Sequence, residues 1–438
     1  MGRAIQKYKG IGGKKMKSFS KEESSWIRYD WASSAYSIII STAVFPLFYK
    51  ASATEAGVSL SNSTAYLGYT IAIATFILAL IGPILGTIAD YQGMKKRFFT
   101  IFFTLGLVFT AGLAFVPNEN WLMLLVIYTL AVLGSTGSNV FYDAFIVDVT
   151  TDERMNRVSA RGYGMGYIGS TIPFIISIAI IILAQTKVLP VSMTLASQTS
   201  FLITALWWGL FSIPLFKNVQ QKHYIEREPQ LVLQSFRRLG KTFKEIRQYK
   251  ALFLFLLAYF FYIDGVGTII TMSTAYGTDL GISSTNLLII LFVTQVVAWP
   301  FAILFGKLSE RFTGKKMLYV GIIVYIFVCI YAYFLETTTD FWILAMLVAT
   351  SQGGIQALSR SYFAKLVPKA NANEFFGFYN IFGKFASIMG PLMVGLTAQL
   401  TGNSSIGVLS LVILFVIGMI ILSFVPEPEK QAHMPELA

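Results

Sequence analysis

The chain has 438 residues, of which 55% are hydrophobic and 13% are charged, and its mean hydropathy is +0.64. This composition excludes an ordinary soluble protein, because much of such a surface must face lipid. The formal net charge of +12 does not call for nucleic acid, since basic loops beside anionic lipid headgroups account for it.

A hydrocarbon core of about 30 Å requires roughly 20 apolar residues per helix. Windows of that length predict an all-α membrane protein with twelve spans, at 29–49, 64–88, 98–116, 121–142, 162–184, 199–216, 251–273, 285–306, 317–335, 341–362, 375–400 and 405–425. We expect the spans to form two pseudo-symmetric six-helix bundles, residues 29–216 and 251–425.

The basic residues lie almost entirely on one side of these spans. They crowd the segment 1–28, the loops after the even-numbered spans and the tail 426–438, whereas the opposite side holds only Lys50 and Lys187. This asymmetry predicts a multi-pass protein of the cytoplasmic (inner) membrane with both termini in the cytoplasm.

A polar, basic stretch at 217–250 separates the two predicted bundles. Apolar residues recur in it at helical spacing, namely Leu233, Phe236, Leu239, Phe243 and Ile246, with basic residues on the other faces. This pattern predicts an amphipathic linker helix along the cytoplasmic membrane surface. A partner-binding or lipid-sensing segment is the alternative.

One loop signature occurs twice, each time between two apolar runs. A glycine precedes an acid by four residues, and a second glycine opens a basic cluster. The first copy consists of Gly86, Asp90, Gly93, Lys95, Lys96 and Arg97, and the second of Gly306, Glu310, Gly314, Lys315 and Lys316. Glycine lets helix ends approach, and the acid can pair with the basic cluster or a neighbouring helix end. Two copies indicate a duplicated bundle, and we expect both to act as gating loops.

The signature resembles the conserved cytoplasmic motif of the major facilitator superfamily. Longer motifs narrow the resemblance, at 29–36, 44–46, 141–145, 157–162, 262–270, 353–361 and 374–384. Together they are similar to the vacuole-effluxer-like branch, which is named for fungal exporters of amino acids linked to autophagy. The compact chain looks more like a prokaryotic member. The resemblance implies a monomeric secondary transporter, not an enzyme, that moves a small polar solute by alternating access, with amino acids and efflux favoured.

Ionisable groups within spans are costly, so each is a candidate functional group. Asp264 lies near the middle of the seventh span, beside Gly265 and Gly267, which can break the helix. Lys384 lies at similar depth in the eleventh span. An Asp264–Lys384 pair would neutralise both charges, either as a fixed structural pair or as a pair that responds to solute or protons.

Asp30 begins a polar stripe, with Ser34, Ser37 and Ser41, along one face of the first span. The stripe faces solute if this span lines a central cavity, as the resemblance implies. A structural pairing of Asp30 with Arg28 or Arg161 is the alternative. Further candidates are polar residues in other spans, which can instead satisfy contacts between helices: Ser138, Asn139, Gln295, Gln352 and Gln356.

Charged residues crowd the ends of the fourth and fifth spans, namely Asp143, Asp148, Arg154, Arg157 and Arg161. We expect ion pairs among them to close the inward gate and to break as the two bundles rock.

The sequence argues against other classes of membrane protein. It contains no Gly-x-x-x-x-Gly-Lys-Ser/Thr loop for nucleotide, and its single cysteine and two histidines offer no metal site. We therefore expect no cofactor, with proton coupling as the open possibility. A nutrient sensor that keeps the fold without transporting is the remaining alternative.

Overall fold

The computed structural model describes residues 18–58, 60–226, 249–279, 284–401 and 403–427, together with Ser235, Arg237 and Ile282. Within these ranges the chain is helical, apart from loops and one isolated bridge between Tyr91 and Ile225. Helix α1 consists of three consecutive segments, Lys21–Ala35, Tyr36–Ala43 and Val44–Glu55. The other long helices are α2 Leu60–Ala89, α3 Met94–Gly112, α4 Trp121–Ala144, α5 Asp152–Gln185, α6 Met193–Asn218, α7 Lys250–Asp279, α8 Ser284–Phe312, α9 Gly314–Tyr333, α10 Thr338–Leu366, α11 Ala372–Thr401 and α12 Ser404–Ser410 with Val412–Ser423.

Eleven helices in the described ranges are long and apolar enough to cross a membrane. The remaining long helix, α11, contains the shorter apolar stretch Ile388–Thr397. Large apolar side chains such as Leu80, Ile101 and Leu206 are exposed on the outer faces of the helices, where a bilayer supplies their apolar surroundings. The predicted all-α membrane fold is confirmed.

Helix α1 begins at Lys21, about two turns before the predicted start at residue 29. A capping box sets this start: the Ser20 hydroxyl accepts from the Glu23 N–H at 3.0 Å, and the Glu23 carboxylate accepts from the Ser20 N–H at 2.8 Å. The apolar window missed this turn because its residues are polar. Further along, Tyr36–Ala43 is a π-helical segment, a widened turn that often marks functional sites.

The predicted break in the seventh span is wrong, because α7 is continuous through Gly265 and Gly267. Gly265 serves packing instead, since a β-carbon there would lie 2.5 Å from the Phe415 ring of α12. A β-carbon on Gly267 would meet nothing within 4 Å. Glycine in a helix costs about 1 kcal/mol relative to alanine, which close helix contacts and the neighbouring turns can offset.

The two halves repeat one buried side-chain hydrogen bond. The hydroxyls of Tyr29 in α1 and Ser138 in α4 lie 3.1 Å apart. In the second half, the hydroxyls of Tyr262 in α7 and Ser359 in α10 lie 2.6 Å apart. The same pair of residue types thus joins the first and fourth helix of each half, as a duplicated bundle predicts.

The halves meet most extensively where α2 packs on α11 and α5 packs on α8, and α5 also contacts α10. Glycine permits both approaches: a β-carbon on Gly86 would collide with the Asn373 backbone, and one on Gly306 would collide with Ala160. These contacts lie at the end of the molecule that carries the loop signatures, which we call the basic end. The predicted linker helix and the residues 1–17 and 428–438 lie outside the described residues.

Candidate functional site at the basic end

Arg360 of α10 reaches from the second half into the first. Its guanidinium donates from Nη2 to Asp30 Oδ2 at 3.0 Å and from Nη1 to Asp143 Oδ1 at 3.1 Å. Nε donates to Ser159 Oγ at 3.0 Å, and that hydroxyl donates to the Ala357 carbonyl at 2.7 Å. We call Asp30, Asp143, Ser159 and Arg360 the Arg360 bridge. It ties α1, α4 and α5 to α10 with charge-assisted hydrogen bonds.

Aromatic rings enclose the guanidinium, whose side chain is only 2% exposed. The guanidinium carbon lies 4.4 Å from the centre of the Tyr163 ring, 4.6 Å from that of Trp26 and 5.7 Å from that of Tyr142. Trp26 and Tyr142 stack and exchange hydrogen bonds through each other's carbonyl groups. Arginine on aromatic faces gains cation–π attraction that grows as water is excluded, so this enclosure strengthens the bridge.

Gly162 of α5 has no side chain, and this leaves the space that the bridge occupies. A β-carbon there would collide with the Asp30 carboxylate and would lie 3.1 Å from Arg360 Nη2. One turn further, a β-carbon on Gly166 would lie 2.5 Å from Ser34 Oγ. The glycines of α5 therefore bring α1 close enough for Asp30 to reach across to the other half.

The bridge holds one cation against two carboxylates. Within the described residues, Arg360 is the cation in contact with Asp30 and with Asp143, whose side chains are 13% and 15% exposed. Buried charge without a partner is costly. A net negative charge at this position favours a proton or a cationic group of a ligand as the missing partner.

The charged residues predicted to form the gate have other partners than expected. Asp143 does join the halves, but through Arg360 rather than through the arginines of α5. Arg154 pairs at 2.6 Å with Glu23 of its own half, and Arg157 lies over the Phe19 ring at 4.9 Å. The alternative structural pairing of Asp30 with Arg28 or Arg161 is likewise replaced by the pair with Arg360.

Asp148 is the other departure from the predicted gate, because its partners belong to its own half and to the segment that follows α6. It pairs with Lys95 at 2.6 Å, and both side chains are fully buried. It also accepts the backbone N–H groups of Lys222 at 2.9 Å and His223 at 2.8 Å. Breaking a buried pair from one side costs about 3–5 kcal/mol, so Asp148 fixes the start of the linker rather than a moving gate.

Three of the predicted polar candidates form the next layer above the bridge. Ser34, Asn139 and Gln356 each lie one helical turn from a bridge residue, on the side toward the bilayer centre. All three are partly exposed, and Ser37, one turn beyond Ser34, is exposed. The buried bridge is therefore overlaid by partly exposed hydrogen-bonding groups.

Gln295 and Gln352 lie apart from this layer. Both line a cavity of about 190 Å³ inside the second half, whose walls are mostly apolar. The Gln295 Oε1 atom is buried there without a hydrogen-bond partner in the described part of the chain. Gln352 is linked to the layer only through its carbonyl, which accepts from Gln356 Nε2 at 3.0 Å.

Asp264 is buried in the second half, where its carboxylate accepts the Gly390 N–H at 2.9 and 3.0 Å and the Thr268 hydroxyl at 3.4 Å. Gly390 precedes Pro391, where the hydrogen-bond pattern of α11 is interrupted. The carboxylate thus fixes α7 to the bend of α11. The Lys384 side chain lies outside the described residues, so its pairing with Asp264 stays a prediction.

In the first copy of the loop signature, the acid binds a neighbouring helix end. Asp90 is fully buried, and it accepts the Asn373 N–H at 2.8 Å, the Asn373 side-chain amide at 2.9 Å and the Glu374 N–H at 3.4 Å. These groups belong to the first turn of α11, where the helix dipole favours an anion. This latch joins the two halves beside the Arg360 bridge, and it confirms one of the two partners expected for the acid.

The second copy lacks this latch within the described residues. Its acid, Glu310, is exposed and interacts electrostatically with Arg154. The turns also differ. Gly93 has a φ of +73°, whereas in the longer second turn the positive φ of 71° falls on Thr313, before Gly314. The one-residue insertion therefore moves the left-handed position off the glycine.

One lysine in each basic cluster closes the end of a helix in its own half. Lys96 Nζ donates to the Phe216 carbonyl at 2.7 Å and to the Val219 carbonyl at 2.9 Å, at the end of α6. Lys315 Nζ donates to the Ser423 carbonyl at 3.1 Å, at the end of α12. Cations stabilise helix C-termini. The remaining cluster residues, Arg97 and Lys316, are exposed.

Sequence reasoning missed Arg360 as a site residue. It lies in the predicted tenth span and in the motif at 353–361, so the rule that a charge within a span marks a candidate site could have found it. Its position near the end of the span made it look like one more basic residue of the loops. Glu23, the partner of Arg154, lay outside the predicted span altogether.

The family described as vacuole effluxer Atg22 like matches residues 60–150 and 147–433 of the chain. The chain is 72% identical over 412 residues to the uncharacterized MFS-type transporter YxiO of Bacillus subtilis strain 168, covering 94% of this chain and 96% of that protein. It is 25% identical over 284 residues to autophagy-related protein 22 of Cryptococcus neoformans. That match covers 60% of this chain and about half (49%) of the fungal protein.

Solved structures share the fold. The fucose transporter FucP, a major facilitator superfamily protein in the outward conformation, has a TM-score of 0.69 at 14% identity, with 93% of this chain and 98% of that chain covered. The human organic anion transporter MFSD10 has a TM-score of 0.67 at 12% identity, with 91% and 99% covered. These similar proteins are transporters, not enzymes.

Proposed function

Because the chain belongs to the Atg22-like vacuole effluxer family, we propose that it moves a small polar solute across the membrane by alternating access, with amino acids in the efflux direction as first candidates. The name of the family supports efflux, and the names of its fungal relatives link it to autophagy. The polar layer of Ser34, Asn139 and Gln356 supports a solute with hydrogen-bonding groups.

The observation that carries the proposal is the Arg360 bridge. The hydrogen bonds that join the halves in the Arg360 bridge and in the Asp90 latch all lie at the basic end. The basic end is thus closed, while Ser37 on the opposite side is exposed. In our proposal the basic end faces the cytoplasm, as its lysines and arginines favour. Transport then requires the bridge to break and re-form in each cycle.

The charge of the bridge suggests how the cycle is driven. Two carboxylates share one guanidinium, so a proton on Asp143 removes part of the attraction that holds Arg360. We propose that proton binding loosens the bridge and couples solute movement to a proton gradient. A zwitterionic solute fits the same site, because its ammonium group can approach the excess negative charge from the polar layer.

The test begins with a thermal-shift screen of the purified protein against amino acids, dipeptides, sugars and nucleosides. Solutes that stabilise the protein are then measured in proteoliposomes for counterflow and for accumulation driven by a proton gradient. Asp143→Asn should keep counterflow but lose gradient-driven accumulation, since exchange needs no net proton movement. Normal accumulation by Asp143→Asn refutes coupling at the bridge.

Asp264→Asn separates the two candidate coupling sites. If Asp264 only fixes α7 to α11, the amide keeps an oxygen for the Gly390 N–H, and accumulation should continue. Loss of accumulation in Asp264→Asn, with counterflow intact, moves the coupling role to that carboxylate.

A sensor on the same fold is the second candidate function. A solute that stabilises the protein but gives neither counterflow nor accumulation in proteoliposomes supports the sensor. Counterflow of any stabilising solute excludes it.

A further inference from the structure

A groove of about 550 Å³ lies on the lipid-facing side of α1, α5 and α6, near the basic end. Two arginines, Arg28 of α1 and Arg161 of α5, line it together with Trp31. Apolar side chains, among them Met165 and Phe211, form the rest of its wall. Neither arginine belongs to the Arg360 bridge, so the transport site does not account for this groove.

The depth of the groove follows from a hydrogen bond beside it. Asn218, the last residue of α6, donates to Ser25 Oγ of α1 at 2.9 Å, so these two residues mark one level. At 1.5 Å per residue, Arg28 lies about 4.5 Å and Trp31 about 9 Å further into the membrane. The groove therefore spans the region of phospholipid headgroups and the beginning of their acyl chains.

The electrostatics of the groove favour an anion. Its described lining contains two arginines and no acid, and neither arginine has an ion-pair partner among the described residues. The nearby Glu23 is occupied by Arg154 at 2.6 Å. Arg28 is exposed and Arg161 is partly exposed, so both guanidinium groups are accessible from the groove.

Trp31 lies at the deeper end of the groove. Its Nε1 atom is buried and has no acceptor within the described part of the chain. The ring stacks on Trp207 and meets Phe211 edge-on, so packing holds it in place. Because the N–H itself is buried, Trp31 contributes the apolar face of its ring to the groove.

We propose that this groove binds one anionic phospholipid of the leaflet at the basic end. Arg28 and Arg161 take the headgroup phosphate, since guanidinium groups match phosphate oxygens in geometry and charge. The acyl chains follow Trp31, Met165 and Phe211. The lipid holds together α1 and α5, the helices that carry Asp30 and Ser159 of the bridge.

The test measures binding of dilauroyl phosphatidylglycerol and dilauroyl phosphatidylcholine to the full chain by native mass spectrometry. Each basic residue near an anionic lipid contributes about fivefold in affinity, so Arg28→Gln with Arg161→Gln should reduce the preference for phosphatidylglycerol by about 25-fold. The matched control is Arg311→Gln, which removes an exposed arginine at the end of α8, outside the groove.

Two further measurements complete the test. Trp31→Phe keeps an aromatic ring and both arginines, so it should keep the preference for phosphatidylglycerol. Inorganic phosphate alone should leave the melting temperature unchanged, because it lacks the apolar contacts. An unchanged lipid preference in the double arginine variant, or equal loss in Arg311→Gln, overturns the proposal. Stabilisation by inorganic phosphate equal to that by phosphatidylglycerol also overturns it, since the site would then be an anion site and not a lipid site.

Discussion

Replacing Arg360 by glutamine should shift the protein toward the state in which the basic end is open. In the closed state this variant leaves Asp30 and Asp143 close together without the guanidinium that neutralises them. When the basic end opens, water can solvate both carboxylates. Loss of the arginine therefore destabilises mainly the closed state.

The size of the shift follows from the burial of the bridge. Removing one partner of a buried ion pair costs about 3–5 kcal/mol, and the lower figure suits two carboxylates that keep some exposure. About 3 kcal/mol changes an equilibrium constant by about 150-fold. If about nine molecules in ten are closed at the basic end in the wild type, about one in eighteen remains so in the variant.

Labelling of an engineered cysteine can report this change. Ser37→Cys places a thiol on the exposed side of the polar layer, and the native Cys329 is buried, which limits background labelling. The labelling rate of purified protein with a bulky maleimide should fall about 15-fold when Arg360→Gln is added. The matched control is Arg154→Gln, because the Arg154–Glu23 pair lies within one half and does not differ between the two states.

Two outcomes contradict this reasoning. An Arg360→Gln protein that labels within twofold of the Ser37→Cys parent shows that the bridge does not hold the basic end closed. An equal drop in Arg154→Gln shows that loss of any ion-paired arginine changes the labelling, through stability rather than through the gate.

Three further predictions concern the helices around the bridge. Gly162→Ala should slow counterflow about 5- to 150-fold, because overpacking of about 1–3 kcal/mol falls on the Asp30 contact, whereas Gly267→Ala, with open space around it, should transport normally. Asp90→Asn should weaken the anion at the start of α11 by about 1–2 kcal/mol and, from nine molecules in ten closed, slow labelling in the Ser37→Cys assay about 1.5- to 4-fold, and Glu310→Gln should not. Lys95→Met leaves a buried carboxylate unpaired, so its melting temperature should fall clearly below that of Glu310→Gln in a thermal unfolding scan.

The partners of the buried carboxylates could be predicted from the sequence only in part. The Asp90 latch was within reach, because an acid four residues after a glycine suits contact with a neighbouring helix end. The pairing of Asp264 was not, because its donor is the backbone N–H of Gly390, and every residue except proline carries such a group. A carboxylate in a span suggests a charged side chain as its partner. Here the partner is a neutral group, the backbone N–H of Gly390 beside Pro391.

The sequence by itself determined the membrane class, the helix positions and the duplication. The length of an apolar run is a local property of the sequence, and it has to match the thickness of the bilayer. A repeated loop signature is visible in the sequence wherever its copies lie. Only the tertiary structure decided which charges meet. Asp30 and Arg360 stand 330 positions apart, and their contact depends on how α1, α5 and α10 pack around Gly162. Local patterns set the helices in the membrane, whereas an ion pair between halves is set by the packing of both.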